Sequence, residues 1–306
     1  MKKTLTFIAS LMMCVVTYAQ KATISLNLKQ DSSYYMVTSA RMHMVQDISG
    51  QTQDINITIS GKMSFKVKTI KDTVYMMDAR YEKLRMQMES AAVNMDMNSD
   101  ADDKQNPLSI LIHNMTRNSF KVNLSKKGRV LSVEDFDKLI SGMFDGIPQI
   151  TEAQKEQFKD QMMQSFGPKA MKGSLEITMA FFPNNPIAKN DQWTINTSLE
   201  SAMSAKIKTV YTLLNTDDKT YTIHGDGVIT SPPVDDYKMV NDLPMKYIIN
   251  GTSTNELKVD KATGWVLEAK INQSIKGDVQ IKDNPKVPGG MTIPMTLTTD
   301  QIITDK

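Results

Sequence analysis

VDKATGWVLEAKINQSI, residues 259–275, is the stretch on which the fold turns. It reads as two strands around a tight turn. Trp265, Leu267, Ala269, Ile271 and Ile275 fall on alternate positions, and Lys, Glu and Asn fill the gaps. Side chains two residues apart share one face of a strand, so the stretch predicts a half-buried β-strand. Gly264 stands where a hairpin loop needs positive φ. The alternation continues through Val279 to Ile281. A strand from Trp265 to Ile281 would span roughly 55 Å at ~3.3 Å per residue, whereas typical strands hold about 5–6 residues. Length with one-sided apolarity predicts a large curved sheet rather than a compact sandwich. Trp265, one of two tryptophans, is expected to close the sheet end, its N–H reaching solvent or a carbonyl.

The same pattern recurs along the chain. In DINITISGKMSFKV (54–67), Ile55, Ile57, Ile59, Met63, Phe65 and Val67 point one way. Ile24, Leu26 and Leu28 predict a short first strand, and Leu175, Ile177 and Met179 another in the second half. Leu84, Met86 and Met88 are out of phase with Tyr75, Met77, Ala79 and Tyr81, a slip that a β-bulge near Glu82 explains. Opposite faces are polar, as in antiparallel sheets with one face on a core and one on water.

Two short helices interrupt the strands. In SVEDFDKLISGMF (132–144), Ser132 is the expected cap, and Phe136, Leu139, Ile140, Met143 and Phe144 form a helical stripe. In TEAQKEQFKDQMMQSFGP (151–168), Thr151 and Gln154 form a capping box, Phe158, Met162, Met163 and Phe166 supply the apolar face, and Gly167-Pro168 stops the helix. Residues 95–107, 232–244 and 287–294 are expected to be loops. The fold class is therefore α+β: a large curved antiparallel sheet, an open or half barrel, packed against two short helices. SKKGRV (125–130) and DKATGW (260–265) share a turn-then-Gly frame. The chain from residue 20 to 306 thus reads as one β-rich domain, with two related halves (21–145 and 171–302) about a helical segment at 134–166 as an option.

The first nineteen residues read as a secretory signal peptide: Lys2 and Lys3, an apolar run from Leu5 to Val16, then Thr17-Tyr18-Ala19 before the cut. Lipidation at Cys14 is disfavoured, because Met13 is not the small residue that such signals carry. Cleavage after Ala19 removes the only cysteine, and with it disulfides and thiolate chemistry. Without Lys2 and Lys3, 34 basic residues face 34 acidic ones, which argues against a nucleic-acid partner or a basic membrane patch. No later segment is apolar enough for a transmembrane helix.

No catalytic constellation stands out. The chain lacks G-x-S-x-G, H-E-x-x-H and P-loop patterns. His43, His113 and His224 are isolated from one another in sequence. On a strand, Met42 and Met44 face away from His43, so the three cannot grip one metal ion. Asp100, Asp102, Asp103, Asp235 and Asp236 read as solvated loop acids without calcium-site glycines. No cofactor or metal is expected. The 24 methionines stand well above average usage; Met fills cores and also makes adaptable apolar surfaces.

FKVNLSKKGRVLSVEDFDKL (120–139), FFPNNPIAKNDQWTINTSLE (181–200) and KVDKATGWVLEAK (258–270) follow in that order and together resemble an uncharacterised family of exported Bacteroidota β-proteins. The resemblance covers most of the chain after the leader and brings no activity or site residue with it. More loosely, a sheet clasping helices is similar to the half-barrel carriers that ferry lipoproteins across the periplasm.

The expected function is a non-enzymatic binding protein of the periplasm or cell surface, holding a lipid or acyl-like ligand between sheet and helices. Phe136, Ile140, Phe158, Met162 and Phe166 would form one wall, and Met63, Phe65, Ile271 and Ile275 the other. The alternative is a structural or assembly partner of envelope proteins whose apolar face its own helices fill. A cavity of several hundred Å³ favours the first and a filled core the second.

Overall fold

The computed structural model describes residues 21–100, 106–147, 150–200, 203–232, 237–240 and 242–306. The first nineteen residues, read as a signal peptide, and Asp102, Asp103, Asp235 and Asp236 lie outside them. The strands are β1 (Ser33–Ile48), β2 (Gln51–Lys71), β3 (Val74–Ser90), β4 (Asn94–Asn98), β5 (Phe120–Ser125), β6 (Val130–Glu134), β7 (Gln192–Leu199), β8 (Ala205–Thr216), β9 (Thr220–Thr230), β10 (Lys238–Val240), β11 (Leu243–Asp260), β12 (Val266–Ile281) and β13 (Met291–Thr304). The helices are α1 (Pro107–Arg117), α2 (Phe136–Gly142), α3 (Glu152–Phe166) and α4 (Pro168–Met179).

All thirteen strands belong to one open sheet in the order β6-β5-β3-β2-β1-β13-β12-β11-β9-β8-β7, with β4 beside β3 and β10 beside β11. Every pairing is antiparallel. The predicted α+β class and long one-sided strands are present: β2 has 21 residues and β12 has 16. The ladder β1–β13 joins the two ends of the chain at mid-sheet, from Val37 opposite Thr304 to Gln46 opposite Met295.

The phase slip in β3 is a bulge. Lys62 pairs with Lys83 and Met63 with Tyr81, so Glu82 has no opposite residue. The bulge restores inward-facing parity, so that Tyr75, Met77, Ala79 and Tyr81 share a face with Leu84, Met86 and Met88. The Glu82 carboxylate accepts from Ser64 Oγ at 2.6 Å and Arg80 Nη2 at 3.1 Å. A second bulge corrects the reading of β12. Lys258 pairs with Glu268 and Val259 with Val266, which leaves Leu267 unmatched. Val266 is buried in place of the expected Leu267.

The helical part differs from expectation in three ways. Ser132 is not a cap but a residue of β6, and α2 starts after Asp135, whose backbone is left-handed at φ 59°. Leu175, Ile177 and Met179 belong to helix α4, not to a strand. Leu175 and Met179 are also four apart, so the stretch fits both periods, and Pro168 opens a new helix where it was expected only to end one. Third, α1 follows Asn106, whose side chain accepts from the Leu108 and Ser109 amides. The segment 95–107 read as a loop therefore contains β4 and the start of α1. The described helices number four rather than two. The capping box Thr151/Gln154 forms as predicted.

Ile24, Leu26 and Leu28 are buried alternately but join no ladder. Their segment is laced between two hairpin turns. Leu26 N–H donates to Lys126 O at 2.9 Å and Asn27 N–H to Thr263 O at 2.8 Å. Gly264 has φ 70°, and a Cβ there would lie 2.3 Å from Ser25 O, so the turn needs glycine for conformation and for space.

The sheet bends until one helix touches both of its edges. Helix α4 packs on β6 and on β7. Arg129 Nη1, just before β6, donates to Asn196 O on β7 at 2.8 Å. Buried Glu176 of α4 accepts from the edge amide of Val130 at 3.0 Å and lies 3.5 Å from Arg129 Nη1. Exposed sheet edges invite pairing with other chains, and α4 covers both.

Candidate functional site

The inward face of the sheet carries two apolar clusters. The near-end cluster joins the helices, the laced segment and the strand ends around Phe65, Val67, Tyr75, Phe120 and Trp265. The far-end cluster contains Ile207, Ile229, Ile249, Ile275, Val279, Ile293, Met295 and Leu297, with Met42 and Met44 against it. Smaller and polar inward residues lie between them: Thr209, Ser253 and Asn255 are buried there.

Most of the predicted walls do meet. Phe65, Phe136, Ile140 and Ile271 are buried together in the near-end cluster, and Met63, Phe158 and Met162 pack against it. Phe136 lies edge-on to Phe120 at 5.4 Å, and Phe158 edge-on to Phe144 at 5.6 Å. Two residues stand elsewhere. Ile275 belongs to the far-end cluster, and Phe166 is 48 % exposed at the end of α3. The walls touch one another rather than facing across a gap. The space lined by Leu26, Met36, Thr178, Met179, Phe181, Phe182 and Trp265 is only about 10 Å³, room for one water at most and not for an acyl chain.

Both tryptophans hold backbone. Trp265 is 5 % exposed, and its Nε1–H donates to Tyr35 O at 2.9 Å. Its ring lies 5.1 Å from Tyr34 and 5.8 Å from Phe65. Trp193 Nε1–H donates to Phe181 O at 2.6 Å and stacks on Tyr211. Burial pushes the hydroxyls of Tyr81 and Tyr211 up to about 12.

The remaining inward surface is the far half of β2, β3 and β4. Register aligns Ile59, Met86 and Met97 in one row, and Ile57, Met88 and Met95 in the next. These six side chains and Ile55 are partly buried and belong to neither cluster. Met86 directly opposes Met97, and Met88 opposes Met95, pairings invisible without the ladder.

The histidines face outward or to the flank. His43 Nε2 meets Asp54 Oδ1 at 2.7 Å, while Met42 and Met44 turn inward, as the strand period requires. His224 lies 3.2 Å from Asp226 and 3.5 Å from Glu256, on the convex face of β9. His113 Nδ1 is 2.9 Å from Ser99 O. Asp100 pairs with Lys83. Among the described residues, no group of three or more His, Cys, Asp or Glu side chains is arranged to hold a metal ion.

Residues 72–266, from the third strand to the start of β12, match a family described as a family of unknown function, DUF6263. The chain belongs to the DUF6263 family. A search of curated proteins finds no match. Among solved structures, the chain is similar to the COG4313 outer membrane channel from Pseudomonas putida F1, at 5 % identity over 90 % of this chain and 97 % of that one, with a TM-score of 0.21. A score that low carries no argument about fold or function. The faces of the DUF6263 sheet are arranged differently from a lipid-facing band. Lys206, Lys208, Lys258, Lys270 and Lys276 stand exposed on the convex side, and apolar residues turn inward. A membrane barrel has an apolar outside, where a mid-bilayer lysine costs about 2–4 kcal/mol. Among the described residues, no helix is long and apolar enough to cross a membrane.

Proposed function

We propose that the protein is an exported, non-enzymatic binding protein of the bacterial envelope whose ligand is an acyl chain or similar apolar group. The binding surface in this reading is the uncovered inward face of β2–β4, not the helix–sheet space. The observation that carries it is the pair of aligned rows Ile59-Met86-Met97 and Ile57-Met88-Met95, only partly buried and outside the two packed clusters of the inward face. Unbranched thioether side chains adapt to chains of varied shape. Burial supplies the driving force, ~25 cal/mol per Å² removed from water. The loose similarity to periplasmic half-barrel carriers suits this reading as an analogy of architecture and adds no residue to the site.

Native mass spectrometry of protein purified from its own envelope, followed by lipid extraction, tests the reading. Co-purifying lipid, and fluorescent fatty acid displaced from the wild type but not bound by Ile57→Glu, would support it. A ligand-free protein that ignores fluorescent fatty acids removes it.

The filled space beneath the helices favours a second reading, an assembly partner of other envelope proteins. There the same methionine rows would meet a protein, and crosslinking from Met88 would capture a partner in place of lipid.

A further inference from the structure

The chain is nearly neutral, with 36 basic and 34 acidic residues, yet the seam between α4 and β7 concentrates cations. A groove of about 1070 Å³ opens there, lined by Arg129 before β6, Lys169 and Lys172 on α4, and Lys206 and Lys208 on β8. Two acids share it, and both are engaged: Glu176 with Arg129, and Glu200 with Lys169 at 3.8 Å. Lys172, Lys206 and Lys208 are exposed, and their ammonium groups have no ionic or hydrogen-bond partner among the described residues. The groove therefore keeps three uncompensated positive charges on opposite banks.

The arrangement follows from two periods. Lys169 and Lys172 are three apart on a helix and share its face. Lys206 and Lys208 are two apart on a strand, about 7 Å from each other on the convex side. Register places Asn196 beside Lys208, and Ser198 beside Lys206 and then Thr230, so amide and hydroxyl groups stand between the ammonium groups. The floor is firmly held, because Arg129 bridges to Asn196 O and a Cβ on Gly173 would lie 2.6 Å from Ser198 O. Val228, 56 % exposed, adds an apolar step at one end. A cleft lined by one sign of charge focuses its field and raises the local concentration of counter-ions. Its volume is at the upper end of small-ligand sites, which run to about 1,000 Å³.

We infer that this groove binds a phosphate-bearing ligand larger than inorganic phosphate, its anionic groups set between Lys172 on α4 and the Lys206/Lys208 pair on β8. The site is separate from the apolar rows on β2–β4, and neither reading depends on the other.

Calorimetric titration of the full chain with pyrophosphate, and flotation with vesicles of phosphatidylglycerol in phosphatidylcholine, test it. Saturable binding in either arm supports the groove, and the arm that responds tells a soluble phosphate ester from a lipid headgroup. The variant Lys172→Gln/Lys206→Gln/Lys208→Gln should weaken binding by about tenfold or more, and added salt should weaken the wild type in the same direction. The control Lys66→Gln/Lys276→Gln, which removes two exposed lysines elsewhere on the sheet, should leave binding unchanged. No binding in both arms, or equal loss in the control, overturns the inference. Equal binding of a DNA duplex also overturns it, since the groove would then be a general polyanion surface.

Discussion

Trp265 Nε1–H donates to the backbone carbonyl of Tyr35 across 230 residues of sequence. One side chain thereby ties the β11–β12 hairpin to the start of β1, while its ring fills the space between Tyr34 and Phe65. Trp265→Ala should destabilise the protein by about 3–5 kcal/mol through lost contacts and a cavity. Trp265→Phe keeps most of the area but strands a carbonyl, at a cost of about 1–3 kcal/mol. Urea unfolding midpoints of the two variants check the order.

Glu176 is the acceptor that satisfies the edge amide of Val130. Glu176→Ala leaves that amide and Arg129 without their carboxylate and should cost about 1–3 kcal/mol. Glu176→Gln retains an acceptor and should cost less. Hydrogen exchange at Val130 reports the difference directly: it should speed up in the alanine variant while amides in β12 stay protected.

Gly264 and Gly50 are both at positive φ, 70° and 81°. A Cβ at Gly50 meets nothing within 4 Å, whereas at Gly264 it would lie 2.3 Å from Ser25 O. Gly50→Ala therefore carries only backbone strain, about 1–2 kcal/mol. Gly264→Ala adds a clash that must push the 21–29 segment off the turn. Thermal unfolding should rank Gly264→Ala as clearly the worse, and equal melting temperatures would contradict the lacing role assigned to that segment.

Asp217 turns the chain between β8 and β9. The Thr220 hydroxyl and the Lys219 and Thr220 amides donate to it and hold its carboxyl at about 2, below the ordinary 3.8. A lowered carboxylate stabilises the fold above its unfolded value, and that contribution fades as pH falls through the folded value. The stability gap between wild type and Asp217→Asn should thus narrow from about pH 4 to about pH 2. Urea midpoints of both proteins across this window measure it; a constant gap would argue against the assignment.

Much of the sheet was legible before any coordinates. Period-two alternation marks β2 and β12, Gly128 marks the β5–β6 turn and Gly264 the β11–β12 turn, and the phase break in β3 locates the bulge at Glu82. Local chemistry suffices for these, because a strand's facing and a turn's φ are decided within a few residues. The candidate site was only half legible. Spacing puts Phe65, Phe136, Ile140 and Ile271 on apolar faces, and the structure packs them in one cluster, but apolar side chains that face each other can pack or leave room, and spacing does not distinguish the two. Phe166 kept the helical period and still turned to water, because α3 ends where it stands.

The sequence by itself determined which residues of β2 turn inward, where the β11–β12 hairpin reverses and where Thr151 caps a helix, since each rests on neighbours in the chain. Tertiary structure alone decided that Leu175, Ile177 and Met179 coil into a helix, because a segment inserted between two sheet edges must satisfy its own backbone. It alone set Met86 opposite Met97 and gathered Lys172 with Lys206 and Lys208. Register and curvature bring together residues distant in sequence, and no local pattern records which ones.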